Sequence, residues 1–458
     1  MNLVTIILAV SAITTALPQA QREQVVAVRP SERQLKWQQL ELTAFFHYGM
    51  NTYTDMEWGT GKTPAATFNP RGPVDCGQWI SAVKAAGFKL AILVAKHHDG
   101  FCLWPTKYTD YHADQDVVKS FTDACKKHGI KAGIYLSPWD MHEPSYGTDD
   151  YNIFFLNQLT ELLSNYGPID EVWFDGACGE GPNGKRQSYA WNAYYALIRK
   201  LQPQACIAVS GPDVRWVGNE GGFARDSEWS VIGTTGDENA NDNEAIRKAF
   251  ENYHFDGVDP AKMQSEIVRP AIDGRNKQLG SLEDLANYSH FVWFPAECDT
   301  SIRPGWFYHA SQDNYVKSLA QLKTIYYSSV GRNSVLLLNI PPAKNGKLHP
   351  NDVQRLKEFG EFVKGTFENP VNPADGFNVI EVAEDIAQSG MLIERFHVEG
   401  KNANGEWEAI PGATSTSVGY KRLIRLPGVV KYDDIRLVVD EARAEFKSQP
   451  KLNVYLEK

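Results

Sequence analysis

Asp175 ends a short apolar stretch, Asp170-Glu171-Val172-Trp173-Phe174-Asp175-Gly176, that has the pattern of a buried strand. A carboxylate at a strand end, with an aromatic ring two residues before it, suits a sugar-processing site. Such a site needs an anionic oxygen beside a flat apolar wall. The alternative is an aspartate that caps a following helix. These seven residues favour neither interpretation, so the rest of the chain must decide.

Further polar and aromatic residues follow apolar stretches in the same way. They are His47, Glu57, Trp58, His97, His98, Asp99, Tyr135, Trp139, Asp140, Arg215, Trp216 and Glu220. Sugar fits this set, because aromatic rings stack on its apolar faces while His and Glu side chains bind its hydroxyls. A zinc site made by His47, His97 and His98 with a carboxylate is a weaker alternative. Adjacent residues of a strand point to opposite faces, which would separate His97 from His98 unless the strand has already ended.

Hydrolysis of a glycosidic bond requires two carboxyl groups. One donates a proton to the leaving oxygen, and the other attacks the anomeric carbon or activates a water molecule. Asp175 could supply one of them. Chemistry alone leaves eight candidates for the other, namely Glu57, Asp99, Asp140, Glu180, Glu220, Asp226, Glu228 and Glu297.

From Leu42 onward, apolar strands alternate with amphipathic helices, which predicts βα units with parallel pairing. Predicted strands are 42–48, 90–95, 131–136, 170–175, 207–210, 290–294 and 334–339, and predicted helices are 77–86, 117–128, 150–164, 188–201, 311–330 and 349–363. About eight repeats fit between Leu42 and Phe367, although the sixth and seventh are poorly defined. We expect a (β/α)₈-like barrel, with function at the carboxyl ends of its strands. A doubly wound open sheet is the alternative, but no Gly-rich dinucleotide turn follows any strand.

The pattern changes in two places. Residues 233–259 are polar and acidic, which predicts a long loop that could overhang a site. Beyond about Asn369, short alternating strands are separated by turns such as Asn404-Gly405, which predicts a small antiparallel β-sandwich. We expect residues 21–367 to form the catalytic barrel and residues 368–458 to form the sandwich. The sandwich is more easily read as a packing module than as a carbohydrate-binding one.

Composition limits the partners and the compartment. The 458-residue chain has a net charge of −10 and no basic cluster, which argues against nucleic acid or an anionic membrane as a partner. Residues 3–16 form an apolar run that is too short to span a bilayer, so residues 1–20 resemble a secretory signal peptide and predict a secreted protein. Asn287-Tyr288-Ser289 is then a glycosylation sequon, which we place beside a core strand. Six widely spaced cysteines predict one or two disulfides or buried free thiols.

Several motifs together resemble the α-L-fucosidases of glycoside hydrolase family 29. They are Phe45-Phe-His-Tyr-Gly49, Glu57-Trp58, Lys96-His-His-Asp-Gly-Phe101, Tyr135-Leu-Ser-Pro-Trp-Asp140 and Val172-Trp-Phe-Asp-Gly176. Later motifs match the branch that acts on α-1,3/4-linked fucose. They are Gly218-Asn-Glu-Gly-Gly222, Ser301-Ile-Arg-Pro-Gly-Trp-Phe-Tyr-His309, Gly331-Arg-Asn333 and Leu336-Leu-Leu-Asn-Ile-Pro-Pro342. The match runs in order from about Trp37 to the carboxyl terminus.

The resemblance implies that Asp175 is the nucleophile of a retaining mechanism and that Glu220 is the acid/base. It also implies a fucose subsite formed by His47, Glu57, Trp58, His97, His98 and Tyr135, with Trp173 beside the nucleophile. Glu297, Arg303 and Trp306 would shape an outer subsite, unless they cap helices or anchor loops.

The sequence therefore predicts a secreted, retaining exo-α-L-fucosidase that releases α-1,3/4-linked fucose from oligosaccharides or glycans, without a metal or other cofactor. Two alternatives remain. One is a broader fucosidase that also accepts α-1,2, α-1,6 or aryl fucosides. The other is a fucose-binding protein on the same fold that has no activity.

Overall fold

The computed structural model describes residues 9–10, 12–13, 16–234, 243–253, 255, 270 and 272–458. Eight parallel strands form a nearly closed barrel, which confirms the predicted fold. Numbered in chain order after β1 (Ala9–Val10), they are β2 (Leu42–Phe46), β3 (Leu90–Lys96), β4 (Lys131–Leu136), β5 (Glu171–Phe174), β6 (Cys206–Val209), β7 (Arg215–Trp216), β10 (Ala296–Ser301) and β11 (Ser334–Asn339). The pairing order is β6-β5-β4-β3-β2-β11-β10-β7. A bridge between Ala208 and Val214 brings the two ends of this sheet together.

Helices connect the strands and cover the outside of the barrel. In the described residues, α-helices span Gln19–Ala27, Glu32–Gln38, Met50–Thr54, Cys76–Ala85, Val117–His128, Asp149–Asn165, Trp191–Leu201, Asn243–Asn252, Leu282–Leu285, Leu319–Ser328 and Pro350–Phe367. Aspartates begin the helices after β2 and β3, since Asp75 accepts from the amide of Gln78 and Asp116 from that of Lys119. Asp175, the aspartate that follows β5, does not cap a helix in this way, because the next helix begins only at Trp191.

The barrel encloses an apolar core. Its buried members include Phe45, Ile92, Tyr135, Trp173 and Leu337, one from each of five neighbouring strands. Trp37, from the helix that precedes β2, belongs to the same cluster. The carboxyl ends of the strands are consequently supported from below by closely packed rings and aliphatic side chains.

The second half of the barrel differs from the prediction. The sixth strand is only two residues long, and the seventh, β10, carries the polar sequence Ala-Glu-Cys-Asp-Thr-Ser. The predicted strand at 290–294 exists as β9 (His290–Trp293) but lies outside the barrel, where it pairs antiparallel with β8 (Val231–Thr234). Asn287, just before β9, is therefore exposed rather than beside a core strand.

Two other expectations need correction. The segment 233–259 is not simply a loop, because Asn243–Asn252 is a helix whose Ile246 and Ala249 are buried in the main core; residues 235–242, 254 and 256–259 lie outside the described residues. The predicted helix at 311–330 is shorter, since a 3₁₀ turn at Ala310–Gln312 precedes the α-helix.

The carboxyl-terminal residues form the predicted β-sandwich. Its strands are β12 (Phe377–Ala383), β13 (Ile393–Lys401), β14 (Trp407–Thr416), β15 (Arg422–Val430), β16 (Asp434–Ala442) and β17 (Lys451–Tyr455). One sheet has the order β15-β12-β17, and the other has β1-β16-β13-β14. The sandwich is tied to the barrel by the Tyr420 amide, which donates to Asn333 at 2.8 Å, and by an ion pair between Lys421 and Glu41 at 2.7 Å.

All six cysteines have free thiols, and five of them are buried. Within the described part of the chain, no helix combines the length and apolar character that a membrane span requires.

A buried ion pair supports the ends of β3 and β4. Lys96 Nζ lies 2.9 Å from Asp140 Oδ2 and 3.0 Å from Gln158 Oε1, and both charged side chains are almost completely buried. The other Asp140 oxygen accepts from the amides of His142 and Glu143. This pair fixes the segment after β4 against the end of β3, directly before His97 and His98.

We expect Lys96→Met to lower the free energy of unfolding by about 3–5 kcal/mol, because it leaves the Asp140 charge buried without a partner. Lys96→Met/Asp140→Asn should recover part of this loss, since asparagine keeps the acceptor oxygen and removes the charge. Lys119→Met is the matched control, because it breaks an exposed pair with Asp123 and should change stability little. Denaturant titration measures all three. Equal effects of the two lysine substitutions would contradict the buried pair.

Candidate active site

A cavity of about 340 Å³ opens at the carboxyl ends of the barrel strands. It is lined by Phe45, His47, Glu57, Trp58, His97, His98, Tyr135, Trp173, Asp175, Gly176, Ala177, Val209, Trp216, Glu220, Asp299 and Trp306. The two residues predicted to be catalytic, the seven predicted for the fucose subsite and Trp306 of the outer subsite are all in this set. The placement follows from topology, because the ends of eight parallel strands meet at one face of the barrel.

Asp175 follows β5 and is held by two donors. The Tyr135 hydroxyl donates to Oδ2 at 3.0 Å, and the amide of Ala177 donates to Oδ1 at 2.8 Å. His98 Nε2 lies 3.8 Å from Oδ2. The side chain is 26% exposed, so the carboxylate is oriented by the protein while part of it faces the cavity.

His47 and His98 are both held as acceptors toward the cavity. The Asn339 amide nitrogen donates to Ser301 Oγ and to the carbonyl of Trp306, so Asn339 Oδ1 must accept from His47 Nδ1 at 2.9 Å. Ser137 donates its hydroxyl to the Trp139 carbonyl and therefore accepts from His98 Nδ1 at 2.7 Å. In each neutral ring, Nε2 then carries the free lone pair.

Burial keeps these histidines neutral. Desolvation lowers the pKa of His47 to about 3, although the hydrogen bond to Asn339 opposes the shift. Desolvation also lowers the pKa of His98, against the attraction of Asp175, and that of His97, which His98 and His47 depress further. Asn51 Nδ2 lies 3.4 Å from His97 Nδ1 and also donates to the Glu57 carbonyl, so His97 accepts at Nδ1 and is a donor at Nε2. The three rings thus offer both donors and acceptors to a polyhydroxylated ligand.

Glu57 anchors the segment that carries Trp306. Its Oε2 accepts from the backbone amide of Trp306 at 2.8 Å, and its Oε1 contacts His309 Nε2 at 2.5 Å. The other ring nitrogen of His309 lies 2.7 Å from Asp55 Oδ1. Burial lowers the pKa of His309, but the two carboxylates outweigh this and raise it above its usual value. Both oxygens of Glu57 are therefore engaged by protein donors.

Glu220 has a different environment. It lies on an exposed turn, where its Oε2 accepts from Trp306 Nε1 at 3.4 Å. Asn219 closes this turn by accepting from the Gly221 amide and donating to the Phe223 carbonyl. Gly218 has φ of 104°, and a Cβ there would collide with the carbonyl of Gly274, so only glycine fits. The segment is tightly turned, and the Glu220 carboxyl is left accessible.

The structure reduces the eight candidates for the second carboxyl. Only Glu57 and Glu220 line the cavity. Asp99 and Asp140 are buried, Glu228 is bound by two arginines, and Glu180 and Asp226 are exposed without lining the cavity. Glu297 is buried and accepts from the Trp173 indole. Because Glu57 is occupied, Glu220 is the carboxyl best placed to exchange a proton.

Two residues assigned to an outer subsite lie elsewhere. Glu297 is inside the barrel, and Arg303 is completely buried in an ion pair with Asp352 at 2.9 Å. Trp306 alone of that group lines the cavity. Polar residues of β10 occur on both the inward and the outward face of the strand. The sequence pattern therefore could not show whether Glu297 lies in an outer subsite or inside the barrel.

Sequence reasoning missed other lining residues, chiefly Asp299 and Val209. Asp299 Oδ1 accepts from the Trp216 indole at 2.8 Å, and desolvation raises the pKa of this carboxyl well above its usual range. Val209 has φ of 31°, a strained value for a β-branched residue, at the rim of the cavity. The alternation of Glu297, Asp299 and Ser301 was the available signal for Asp299.

The arrangement suits sugar chemistry. In the part of the chain that is described, no group of three His, Cys, Asp or Glu side chains has an arrangement that could hold a metal ion. An oriented carboxylate, a second accessible carboxyl and several indole rings around one small cavity are the elements of a glycoside hydrolase site.

Comparison with known proteins agrees. The family model described as Alpha-L-fucosidase matches residues 19–368. The chain is 39% identical to Alpha-L-fucosidase 1 of Arabidopsis thaliana, across 91% of this chain and 85% of the relative. A Bacteroides ovatus structure solved as a candidate α-L-fucosidase shares 40% identity with a TM-score of 0.83, covering 96% of this chain and 77% of that one. A Ruminococcus gnavus fucosidase of family 29 in complex with fucose shares 26% identity with a TM-score of 0.74, covering 94% and 95%.

The fold and the cavity define a barrel glycoside hydrolase. The chain belongs to the α-L-fucosidases of glycoside hydrolase family 29.

Proposed function

We propose that this α-L-fucosidase is an exo-acting, retaining enzyme that releases α-1,3/4-linked fucose from branched oligosaccharides or glycans. The observation that carries the proposal is the pair of carboxyls, Asp175 and Glu220, in one cavity with contrasting surroundings. The branch-specific motifs described above support the linkage preference.

Asp175 would attack the anomeric carbon and form a covalent fucosyl intermediate. Its two hydrogen bonds, from Tyr135 and Ala177, hold the carboxylate in one orientation, which lowers the entropic cost of reaching the attacking geometry. The bond from Tyr135 also stabilises the ionised form that a nucleophile requires. Partial exposure leaves room for the sugar carbon to approach.

Glu220 would protonate the departing sugar oxygen in the first step and deprotonate a water molecule in the second. Both steps require a carboxyl that water and the leaving group can reach, and Glu220 is the exposed one of the pair. Its contact with Trp306 Nε1 limits where the carboxyl can point without burying it.

The remaining lining residues fit L-fucose. The sugar has a methyl group at C5 and an axial hydroxyl at C4, so it needs an apolar wall and polar groups that bind hydroxyls. Phe45, Trp173 and Trp306 supply aromatic surface. Neutral His47 and His98 accept hydrogen bonds from hydroxyls, and His97 donates one.

We also propose that the protein is secreted, with residues 1–20 acting as a signal peptide, because their apolar run and following Pro-Gln-Ala segment have that pattern. The mature amino terminus of the exported protein would then follow Ala16 or Ala20.

Azide distinguishes the two carboxyls. Asp175→Ala should reduce kcat/KM for an aryl fucoside by about 10⁴-fold or more, and added azide should take the place of the nucleophile and give the β-fucosyl azide. In Glu220→Ala the covalent intermediate still forms with a good leaving group, so azide should intercept it and give the α-azide. Unactivated oligosaccharides should lose about 10²–10⁴-fold with this variant.

The configuration of each azide is read by proton NMR. Wild-type enzyme should release α-fucose before mutarotation. Release of β-fucose by the wild type would exclude retention, and an α-azide from Asp175→Ala would exclude Asp175 as the nucleophile.

Linkage preference requires paired substrates. A Lewis-type trisaccharide with α-1,3- or α-1,4-linked fucose should be cleaved at least about tenfold faster, in kcat/KM, than an unbranched α-1,2-linked fucoside, which corresponds to ~1.4 kcal/mol. Mass spectrometry of the released fucose measures both rates. Equal rates would favour a broad α-L-fucosidase.

A further inference from the structure

Two carboxyl side chains lie inside the barrel, below the sugar cavity. Glu171 begins β5 and Glu297 lies on β10, and both are buried in the described structure. Apart from such groups the interior cluster is apolar and aromatic. Two ionised carboxylates in contact there would be strongly unfavourable, because their like charges would repel each other in an interior that solvates charge poorly.

The hydrogen bonds around the pair form a symmetrical chain. The Trp37 indole donates to Glu171 Oε2 at 3.0 Å, and the Trp173 indole donates to Glu297 Oε2 at 2.8 Å. The remaining oxygens, Oε1 of each residue, receive no donor from any other described group. The two carboxyls interact directly, and a proton held between the two Oε1 atoms would give each of these oxygens a hydrogen-bond partner.

Burial favours this protonation. Desolvation raises the pKa values of both carboxyls above the usual glutamate range. Other nearby carboxyls add repulsion, namely Asp170 and Asp213 toward Glu171 and Asp299 on the strand of Glu297. Asp213 is itself paired with Arg199 and Arg33.

This series of hydrogen bonds reaches the sugar cavity through Trp173. Trp173 lines the cavity and stacks on Tyr135 with ring centres 5.3 Å apart, and Tyr135 donates to Asp175. On β4, Gly133 leaves space for Glu171, since a Cβ there would lie 2.9 Å from Ile92 and 3.3 Å from Glu171 Cβ.

We propose that Glu171 and Glu297 share a proton as a buried acid pair, and that they are positioning residues that hold Trp173, and through it Tyr135, beneath the nucleophile side of the cavity. Neither residue touches the substrate. The inference uses fucosidase activity only as one readout, so two of its tests stand even if the proposed linkage or mechanism fails.

Comparing the two single glutamine variants with the double variant tests whether the residues share a proton. Glu297→Gln can donate to Glu171 and accept from Trp173, so it should keep at least about a third of wild-type kcat/KM for an aryl fucoside. Glu171→Gln can likewise donate to an ionised Glu297. In the double variant both amide groups would present N–H donors to each other, or one would face an indole N–H. Its kcat/KM should fall at least about fivefold below the product of the single effects.

Glu297→Leu is the comparison that removes the interaction. It leaves the Glu171 Oε1 atom and the Trp173 indole without partners, so it should lose far more activity than Glu297→Gln. Equal losses for the leucine and glutamine variants, or glutamine effects that multiply independently, would overturn the proposal.

Infrared difference spectra test the proton directly. Wild-type enzyme minus Glu297→Gln should show the C=O stretch of a buried protonated carboxylic acid, with a shift in heavy water. Absence of that band at neutral pH would overturn the proposal even if the double variant did not fold.

The pH dependence of stability gives an independent readout. The folded pair holds a proton that the unfolded chain releases above its ordinary glutamate pKa, so the stabilisation that the pair contributes falls as pH rises above about 4.5. Glu297→Gln lacks this proton, and its stability relative to wild type should therefore increase over the same range. A constant difference between pH 5 and pH 9 would contradict the shared proton.

Discussion

The hydrogen bond from Tyr135 to Asp175 is the contact on which the geometry of the site depends. Tyr135 is completely buried on β4 and stands between two rings, His97 at 5.9 Å and Trp173 at 5.3 Å, both nearly parallel to it. Its hydroxyl can therefore move little. Because the Ala177 amide fixes the other oxygen, the carboxylate orientation is set by strands β4 and β5 together, and the barrel core acts directly on the carboxylate that we propose as the nucleophile.

The electrostatics of the cavity follow from burial. His47, His97 and His98 are kept neutral because desolvation favours the uncharged ring, so they offer polar atoms to the cavity without adding positive charge. A charged His98, whose Nε2 lies 3.8 Å from Asp175 Oδ2, would hold that carboxylate in an ion pair. His309, an imidazole with a raised pKa, lies beside Glu57 and Asp55, where its charge anchors a loop. The charged His309 thus holds the backbone in place, whereas the histidines that line the cavity are neutral.

The sequence predicted those parts of the fold in which buried residues are apolar. The strands that begin at Leu42, Leu90 and Lys131 were found because continuous apolar residues indicate burial on both faces. Once Asp175 was placed at a strand end, its position in the cavity followed from barrel topology. Strand β7 was missed because two residues carry no pattern, and β10 because its inward residues are Glu297, Asp299 and Ser301. A strand whose buried face is polar cannot be recognised by hydrophobic periodicity. The same limit explains why Glu297 was assigned to an outer subsite, and why β9 seemed to be a barrel strand.

Trp306 connects the parts of the site that come from distant segments. Its amide donates to Glu57, its carbonyl accepts from Asn339, and its indole donates to Glu220. Its ring also lies 5.1 Å from His47. Glu220 has few contacts of its own, so its carboxyl depends on this indole for direction. The same Asn339 that supports the Trp306 carbonyl also fixes the His47 tautomer. Sugar recognition and the proposed proton transfer consequently share one rigid support, and a shift of the Trp306 segment must alter both together.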